Sequence, residues 1–555
     1  MTVPLRPRAA LATHDVFNMP PHMGDRDLWA GDTALQEGVR REGAGWAAER
    51  IAAFGRLIGR AEVAEKADQA NRHGPELRPF DRYGMRIDRV EYHPAYHDLM
   101  ALAVGNEVAG FAWNHEGPGA HVGHMALTYL ISQVECGVMC SMAMTYAAVP
   151  ALRASPAIAE AWIPRALSGR YDGRDVPVED KPGATIGMFM TEKQGGSDVR
   201  SNSTRARPAG GGADGSWRLT GHKYFCSAPM SDAFLTLART DAGISCFLLP
   251  RWTPEGERNA ISIQHLKDKL GNRSNASVEI ELEDAWAVMV GEDGRGIRTI
   301  IDMVQGNRLY CAVSSAALMR QGVVQALHHT RHRSAFQRRL ADQPLMRNVL
   351  ADLALEAEAA LALGLRTARA VDEAGDGPEP RALARIGTAI AKYWVCKRAP
   401  GHAFEALECH GGPGYIEDGP MARLYREAPL NSIWEGSGNV LCLDVLRAMA
   451  REEEAVPALL AEIDAARGGH PALDRAADAL RDDLSRPEAF ESGARALTER
   501  MALALQASLL VRHAPQAVAD AFCAARLGER WTGAYGTLPP GADTEAILAR
   551  ALPAA

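Results

Sequence analysis

The sequence predicts an α+β multidomain chain in which a helical block, a β block, a helical bundle and a further helical block follow one another. Three observations carry that reading. The chain has 555 residues, too many for one hydrophobic core. Its composition, 47% hydrophobic and 23% charged, is that of ordinary globular protein. The hydrophobic period is helical up to about residue 184, strand-like to about 292, and helical again beyond. The expected divisions are therefore 1–184, 185–292, 293–450 and 451–555.

In the first block, helical periodicity runs from Thr33 to Ala67, and Met125 to Tyr146 has the small and apolar content of a buried helix. A stretch rich in Asp, Gly and Pro, Asp172 to Ala184, reads as a linker. Short apolar runs then follow at strand spacing: Ala184–Thr191, Trp217–Thr220 after the glycine-rich turn Gly210–Gly215, Phe234–Ala238, Ser245–Leu249 and the alternating Ser277–Leu282. They predict a small barrel or sandwich. Helical periodicity resumes through Ile297–Ala370 and Arg381–Glu408, broken at Asp376-Gly377-Pro378, and again over about 452–530. The tail after Trp531 is rich in Gly and Pro. No internal repeat stands out.

Charge and cysteine usage narrow the function classes. With 61 basic and 69 acidic residues, the net charge of −8 argues against nucleic-acid binding by the surface as a whole. Nine scattered cysteines without paired CxxC motifs support neither a disulfide framework nor a zinc site. Cys136 and Cys140 are expected to pack as small hydrophobes. His328, His329 and His332 beside Arg331 and Arg333 lack an acidic partner at ligand spacing and read as a basic helix end, so no metal is expected. Met1–Pro20 holds no apolar block of signal-peptide length and no run reaches membrane-spanning length, which makes the cytoplasm the expected compartment.

Four stretches carry chemistry. Leu430–Asn439 places Glu435 beside Trp434, where shielding from water raises a carboxyl toward the range of a general base. Gly436 and Gly438 permit close backbone approach there, and Ser437 and Asn439 offer polar contacts at a helix start. Met190–Val199 ends a strand in a polar, glycine-containing turn whose amides could face a pyrophosphate or a ring's polar edge; equally, it could be a plain turn. It is no dinucleotide fingerprint, because no G-x-G-x-x-G opens a helix. His222–Ser227 sets Phe225 and Ser227 on one strand face, suited to covering a flat heterocycle or to packing a core. Glu408–Tyr415 breaks a helix with three glycines, by ligand approach or as a simple stop.

Together these stretches resemble the acyl-CoA dehydrogenase flavoprotein family. The resemblance rests on M-T-E-x-x-G-G-S-D after a strand, Lys269–Ser274, Arg333-Ser334-Ala335-Phe336, Gly411-Gly412-x-Gly414-Tyr415 and I-W-E-G-S-G-N, in the family's order. The bacterial alkylation-response branch is most similar, through Thr13–Asn18, Arg41–Trp46, Leu266–Ser277, Asn431–Leu446 and a helical block after residue 450. The resemblance implies an N-terminal helical domain, a central β-barrel and a C-terminal helical bundle, assembled as a homotetramer with FAD as cofactor. It implies Glu435 as the base that takes the α-proton of an acyl-CoA. It implies FAD contacts from Met188, Phe189, Met190, Thr191, Gly196 and Ser197, from Phe225, Cys226 and Ser227, and from Ile433, Trp434, Gly436, Ser437 and Asn439. Arg333, Phe336 and Gly412 would reach the adenosine diphosphate of a neighbouring subunit's FAD.

The alkylation-response likeness further implies double-stranded DNA as a partner and protection of DNA from alkylation, with Arg447 and Arg530 as the matching contacts. Local charge opposes this: residues 451–555 carry 11 Arg and no Lys against 16 acidic residues, a net of −5. A protective flavoprotein with little or no dehydrogenase turnover is the alternative function. The sequence also departs from the family pattern. Gln337 stands where Gly usually follows the Phe of R-x-x-F, Glu408 where Gln is common, and His410 and Pro413 are unusual.

Overall fold

A computed structural model describes residues 8–209, 215–486, 490–528 and 531–552. Helices Thr33–Val39, Ala48–Ile58 and Ala61–Arg72 open the first block, and Pro94–Gly105, Ala120–Ser132 and Gly137–Arg153 form its interior. The stretch Met125–Tyr146 is two helices rather than one. The break falls at 133–136, where the buried Glu135 carboxylate accepts from the Val138 amide at 2.7 Å and so starts the second helix. An antiparallel hairpin, Glu76–Phe80 with Arg86–Glu91, interrupts a block expected to be helical. Charged residues are interspersed with its apolar ones and Val90 is its one buried residue, so only a faint apolar pattern marks it. It is tied to the β block: Arg86 donates to the Ile263 carbonyl at 2.7 Å and the Ile263 amide to Asp88 at 2.6 Å.

The strands between Ile186 and Val290 close into a barrel rather than a sandwich. Ala233–Thr240 pairs with Gly243–Pro250, which pairs with Ser277–Val290, which pairs with Ser216–Ser227. Arg205–Pro208 then bridges Ser216–Ser227 back to Ala233–Thr240 and completes the ring. Ile186–Phe189 lies parallel to Ala233–Thr240, and Ile261–Leu266 adds to Ser277–Val290. Phe189, Phe234, Phe247, Leu249, Val278 and Ile280 fill the interior, with Phe189 stacked on Phe234 at 3.8 Å.

The bundle comprises the long helices Gly296–His332, Pro344–Asp372 and Pro378–Glu408, with Gly438–Arg451 laid against them. The first is buried on all sides from Asn307 to Val324, as expected of a helix at the centre of a large core. The helical run expected over Ile297–Ala370 is broken by a small hairpin, Ser334–Ala335 with Arg338–Arg339. Its loop residues Phe336 and Gln337 both take positive φ, 52° and 63°, the pattern of a two-residue turn that usually selects Gly or Asn. Gln337 therefore keeps a left-handed conformation where the family pattern would place a glycine.

The last block contains helices Ala455–Asp464, Pro471–Leu484, Phe490–His513 and Gln516–Arg526. A further helix, Thr544–Ala551, lies in the Gly- and Pro-rich tail, and Asp543 caps it by accepting from the Ala546 amide at 3.0 Å. All nine cysteines are buried and unpaired. No helix among the described residues is long and apolar enough to cross a membrane.

The last block is docked on the bundle through buried ion pairs. Arg526, 1% exposed, meets Asp352 and, at 3.0 Å, Glu356, which also accepts from Arg398 at 3.1 Å. Burial pushes the Glu356 carboxyl up, but Arg398 and Arg526 outweigh it and hold it near 2. Removing one partner from such a cluster strands buried charge. Arg526→Met is expected to cost about 3–5 kcal/mol, read as a lowered midpoint in thermal denaturation; an unchanged midpoint would show the cluster to be dispensable.

Candidate active site

Glu435 lies on the loop between the turn Leu430–Ser432 and the helix Gly438–Arg451. Its φ is +56°, and that of Gly436 is +100°. The left-handed region costs an ordinary L-residue roughly 1–2 kcal/mol, and non-glycine outliers of this kind concentrate at functional sites. Gly436 has no alternative, because a Cβ there would stand 2.7 Å from Leu441. The loop's carbonyls are held from beneath. Lys392 donates from Nζ to Trp434 O at 2.8 Å and Gly436 O at 2.5 Å, and Arg308 Nε donates to Glu435 O at 3.0 Å. Both cations are buried. Trp434 is pinned in turn, its Nε1 donating to Asn431 at 2.9 Å, and Asn431 to Ser315 at 3.1 Å.

The Glu435 carboxyl is pushed up to about 7 by burial, against the opposing pull of Arg308 and Lys392. A carboxyl balanced near neutrality is what a general base requires. Asn307 Nδ2 approaches its Oε1 at 3.5 Å, while the buried Asn307 Oδ1 finds no partner. The Glu435 amide likewise has no hydrogen-bond acceptor among the described residues. Ser437 precedes the helix but its hydroxyl makes no capping bond, and Asn439 is taken up by Arg495 at 2.7 Å. Ile433 is exposed.

The strand-end turn is rigid because of one buried carboxylate. Glu192 pairs with Lys223 at 2.9 Å and accepts from the Ser203 amide at 2.6 Å and from the Thr204 amide and hydroxyl at 3.1 and 2.6 Å. Burial raises its carboxyl, but Lys223 and these donors outweigh that and hold it well below the usual range. The Met190 carbonyl accepts from Asn202 at 2.8 Å. The turn thereby presents Met188, Met190 and Thr191, half-buried, with Gly196 and Ser197 at its exposed tip. Among the described residues, the hydroxyls of Thr191 and Ser197 find no partner.

On the strand Ser216–Ser227, Phe225 is 49% exposed. Ser227 Oγ meets Ser277 Oγ at 2.9 Å, and Lys269 Nζ donates to Ser277 Oγ at 3.1 Å and to Asn275 O at 2.6 Å. Burial lowers the Lys269 ammonium to about 8. Phe189 and Cys226 differ from their neighbours: both side chains point into the barrel core. Only their backbone could face a ligand, a correction that follows from strand alternation, since Cys226 lies between two residues on the opposite face.

Arg333, Phe336 and Gly412 are not brought to Glu435. Arg333 caps the helix Gly296–His332, whose last residue follows Asn307 by 25 positions, a rise of about 37 Å at 1.5 Å per residue. Near Arg333, His329 and His410 lie with rings 4.7 Å apart, so the R-x-x-F and glycine motifs share one end of the bundle. Phe336 there is 94% exposed, and the Arg333 guanidinium donates to Asn18 O at 3.0 Å. A Cβ on Gly412 would meet open space.

Arg447 lies on Gly438–Arg451, its side chain 51% exposed, donating to Asp444 at 2.8 Å. It lines a cavity of about 760 Å³ with Arg200, Arg295, Arg298, Arg385 and Arg451. Arg530 lies outside the described residues. Sequence reasoning missed Lys392, Arg308 and Asn307, which stand mid-helix far from the loop they serve, and the grouping of arginines around Arg447.

Comparison with known proteins agrees with this geometry. Residues 18–173 match the N-terminal domain of adaptive response protein AidB, 187–285 the acyl-CoA dehydrogenase middle domain and 294–450 its C-terminal domain. The chain is 44% identical to the putative acyl-CoA dehydrogenase AidB of Escherichia coli over 520 residues, 93% of this chain and 95% of that one. Among solved structures, Caenorhabditis elegans ACDH-11 in complex with C11-CoA superposes with a TM-score of 0.84 at 26% identity, covering 96% of this chain and 97% of that one. The apo form of Bd2924 gives 0.83 at 28%, covering 90% and 100%. Members of this family depend on FAD, and the residues present fit such a group: the matched motifs carry an exposed aromatic at Phe225, unpartnered hydroxyls at Thr191 and Ser197, and beside Glu435 an orphaned buried amide oxygen at Asn307. The chain belongs to the acyl-CoA dehydrogenase family of FAD-dependent oxidoreductases, in its AidB-like branch.

Proposed function

We propose that this oxidoreductase removes hydrogen across the α,β-bond of an acyl-CoA with Glu435 as the base. The observation that carries the reading is a carboxyl, balanced near neutrality by burial, on a left-handed loop beside Asn307 of the bundle's central helix. Bound FAD would accept the β-hydride. Glu435 takes the α-proton once ionised, and its unpaired amide is a donor for the enolate oxygen that develops on the thioester. Phe225 and Trp434 limit water, Met190, Thr191 and Ser197 would meet the ring's polar edge, and Ser227, backed by Ser277 and Lys269, covers a face. Arg333, Phe336 and Gly412 serve a neighbouring subunit's cofactor, which requires an oligomer, a homotetramer in this reading. Anaerobic addition of an acyl-CoA panel is expected to bleach the flavin, with a rate rising as pH increases through about 7, because only the ionised carboxyl accepts a proton. Glu435→Gln is expected to slow bleaching by about 10²–10⁴-fold; a flavin that no acyl-CoA reduces would overturn the reading.

A second reading, binding and protection of duplex DNA, is favoured by the arginine cavity around Arg447. Arg295, Arg298 and Arg451 there have no carboxylate partner among the described residues, whereas several arginines of the last block are spent internally, as in Arg512 with Glu462, Arg481 with Asp464 and Arg550 with Glu358. The DNA surface would therefore centre on the cavity rather than on the last block alone. Wild-type protein is expected to bind duplex DNA with a log–log salt dependence, and the double substitution Arg298→Ala, Arg451→Ala to reduce the slope by about 2. No affinity at low salt would remove this reading.

A further inference from the structure

We propose that Lys392 and Arg308 act as a pair of positioning residues for Glu435, fixing the backbone of the base by seizing three successive carbonyls. The inference rests on the reading of Glu435 as the base. Lys392 bridges the carbonyls on either side of Glu435 and Arg308 takes the one between. The two cations come from different helices, Pro378–Glu408 and Gly296–His332, so the loop is gripped from two directions.

Simple loop anchoring does not account for the residue types. Lys392 is 1% exposed, and among the described residues no carboxylate forms an ion pair with it. A buried ammonium satisfied only by carbonyls is an expensive way to hold a turn when a neutral amide could donate as well. Its charge has one evident beneficiary, the Glu435 carboxylate, whose charged form both Lys392 and Arg308 favour. Arg308 is itself oriented: its Nη1 donates to the buried Asp444 at 2.7 Å, and Asp444 also accepts from Arg385 and Arg447 at 2.7 and 2.8 Å. The other groups facing Glu435 are neutral: Asn307 on the same helix as Arg308, and the thiols of Cys311 and Cys140, both raised by burial. The two cations alone therefore oppose the desolvation of the base.

The test reads the protonation of Glu435 without turnover. Infrared spectra of the FAD-loaded protein across pH, wild type minus Glu435→Gln, isolate the carboxyl band of this residue. Lys392→Met and Arg308→Met are each expected to raise its midpoint by about one pH unit or more, and Lys392→Arg to return it toward wild type. If Lys392→Met does not fold, Lys392→Gln puts the same question, keeping an amide donor while dropping the charge, with the same upward shift expected. Midpoints that stay at the wild-type value in the Lys392 variants would overturn the proposal and reduce the pair to structural anchors. A shifted midpoint in protein that no acyl-CoA bleaches would support the clamp while removing the dehydrogenase reading, so the two failures are told apart.

Discussion

Burial of the Glu435 carboxyl, opposed by two cations that grip its loop, is the balance on which the surrounding contacts bear. A buried acid left to itself stays protonated, and one fully paired stays ionised far below neutrality. Glu192 and Glu356 show the second outcome, each held low by cations and donors packed against it. Glu435 lies between: Arg308 and Lys392 are close enough to oppose desolvation, but their hydrogen bonds go to the backbone rather than to the carboxylate. Among these three acids, the one left near neutrality is the one whose cations touch the chain rather than the oxygen.

The fold supplies the pieces of that arrangement from separate layers. The barrel contributes a rigid turn, fixed by the interior Glu192–Lys223 pair, and an adjacent strand face with Phe225 and Ser227. The bundle contributes the two cations and the loop that carries Glu435. The last block steadies the bundle's outer side through Arg526 and reaches the loop's helix through Arg495 and Asn439. Because the ties cross every boundary, a substitution in one layer is felt in the others, and effects at neighbouring members of one network will not add.

Sequence reading reaches what is local in the chain. Glu435, Gly436 and Trp434 share one short stretch whose chemistry is visible without a fold, and the change of hydrophobic period marks the strand region. Lys392 and Arg308 were illegible because each sits in an ordinary helical run, 43 and 127 positions from Glu435, and nothing local distinguishes a buried cation from a solvated one. The hairpin Glu76–Glu91 was missed because its strands bury little, Val90 being their one buried residue, and charged residues are interspersed with the apolar ones. Cys226 is different: the alternation that sets Phe225 and Ser227 together already requires the side chain between them to face the barrel core. The basic cavity is a product of folding alone, since its arginines come from four separated segments and the chain around them is net acidic.

The nine enclosed thiols give the molecule a built-in set of reporters. Cys246 lies in the barrel, Cys140 in the first helical block, Cys311 and Cys396 in the bundle, and Cys523 in the final block. None is reachable while the native packing holds, so the rate at which a thiol-reactive reagent modifies each one measures how often its own layer opens. Peptide mapping after such labelling would rank the layers by local stability without introducing a single substitution.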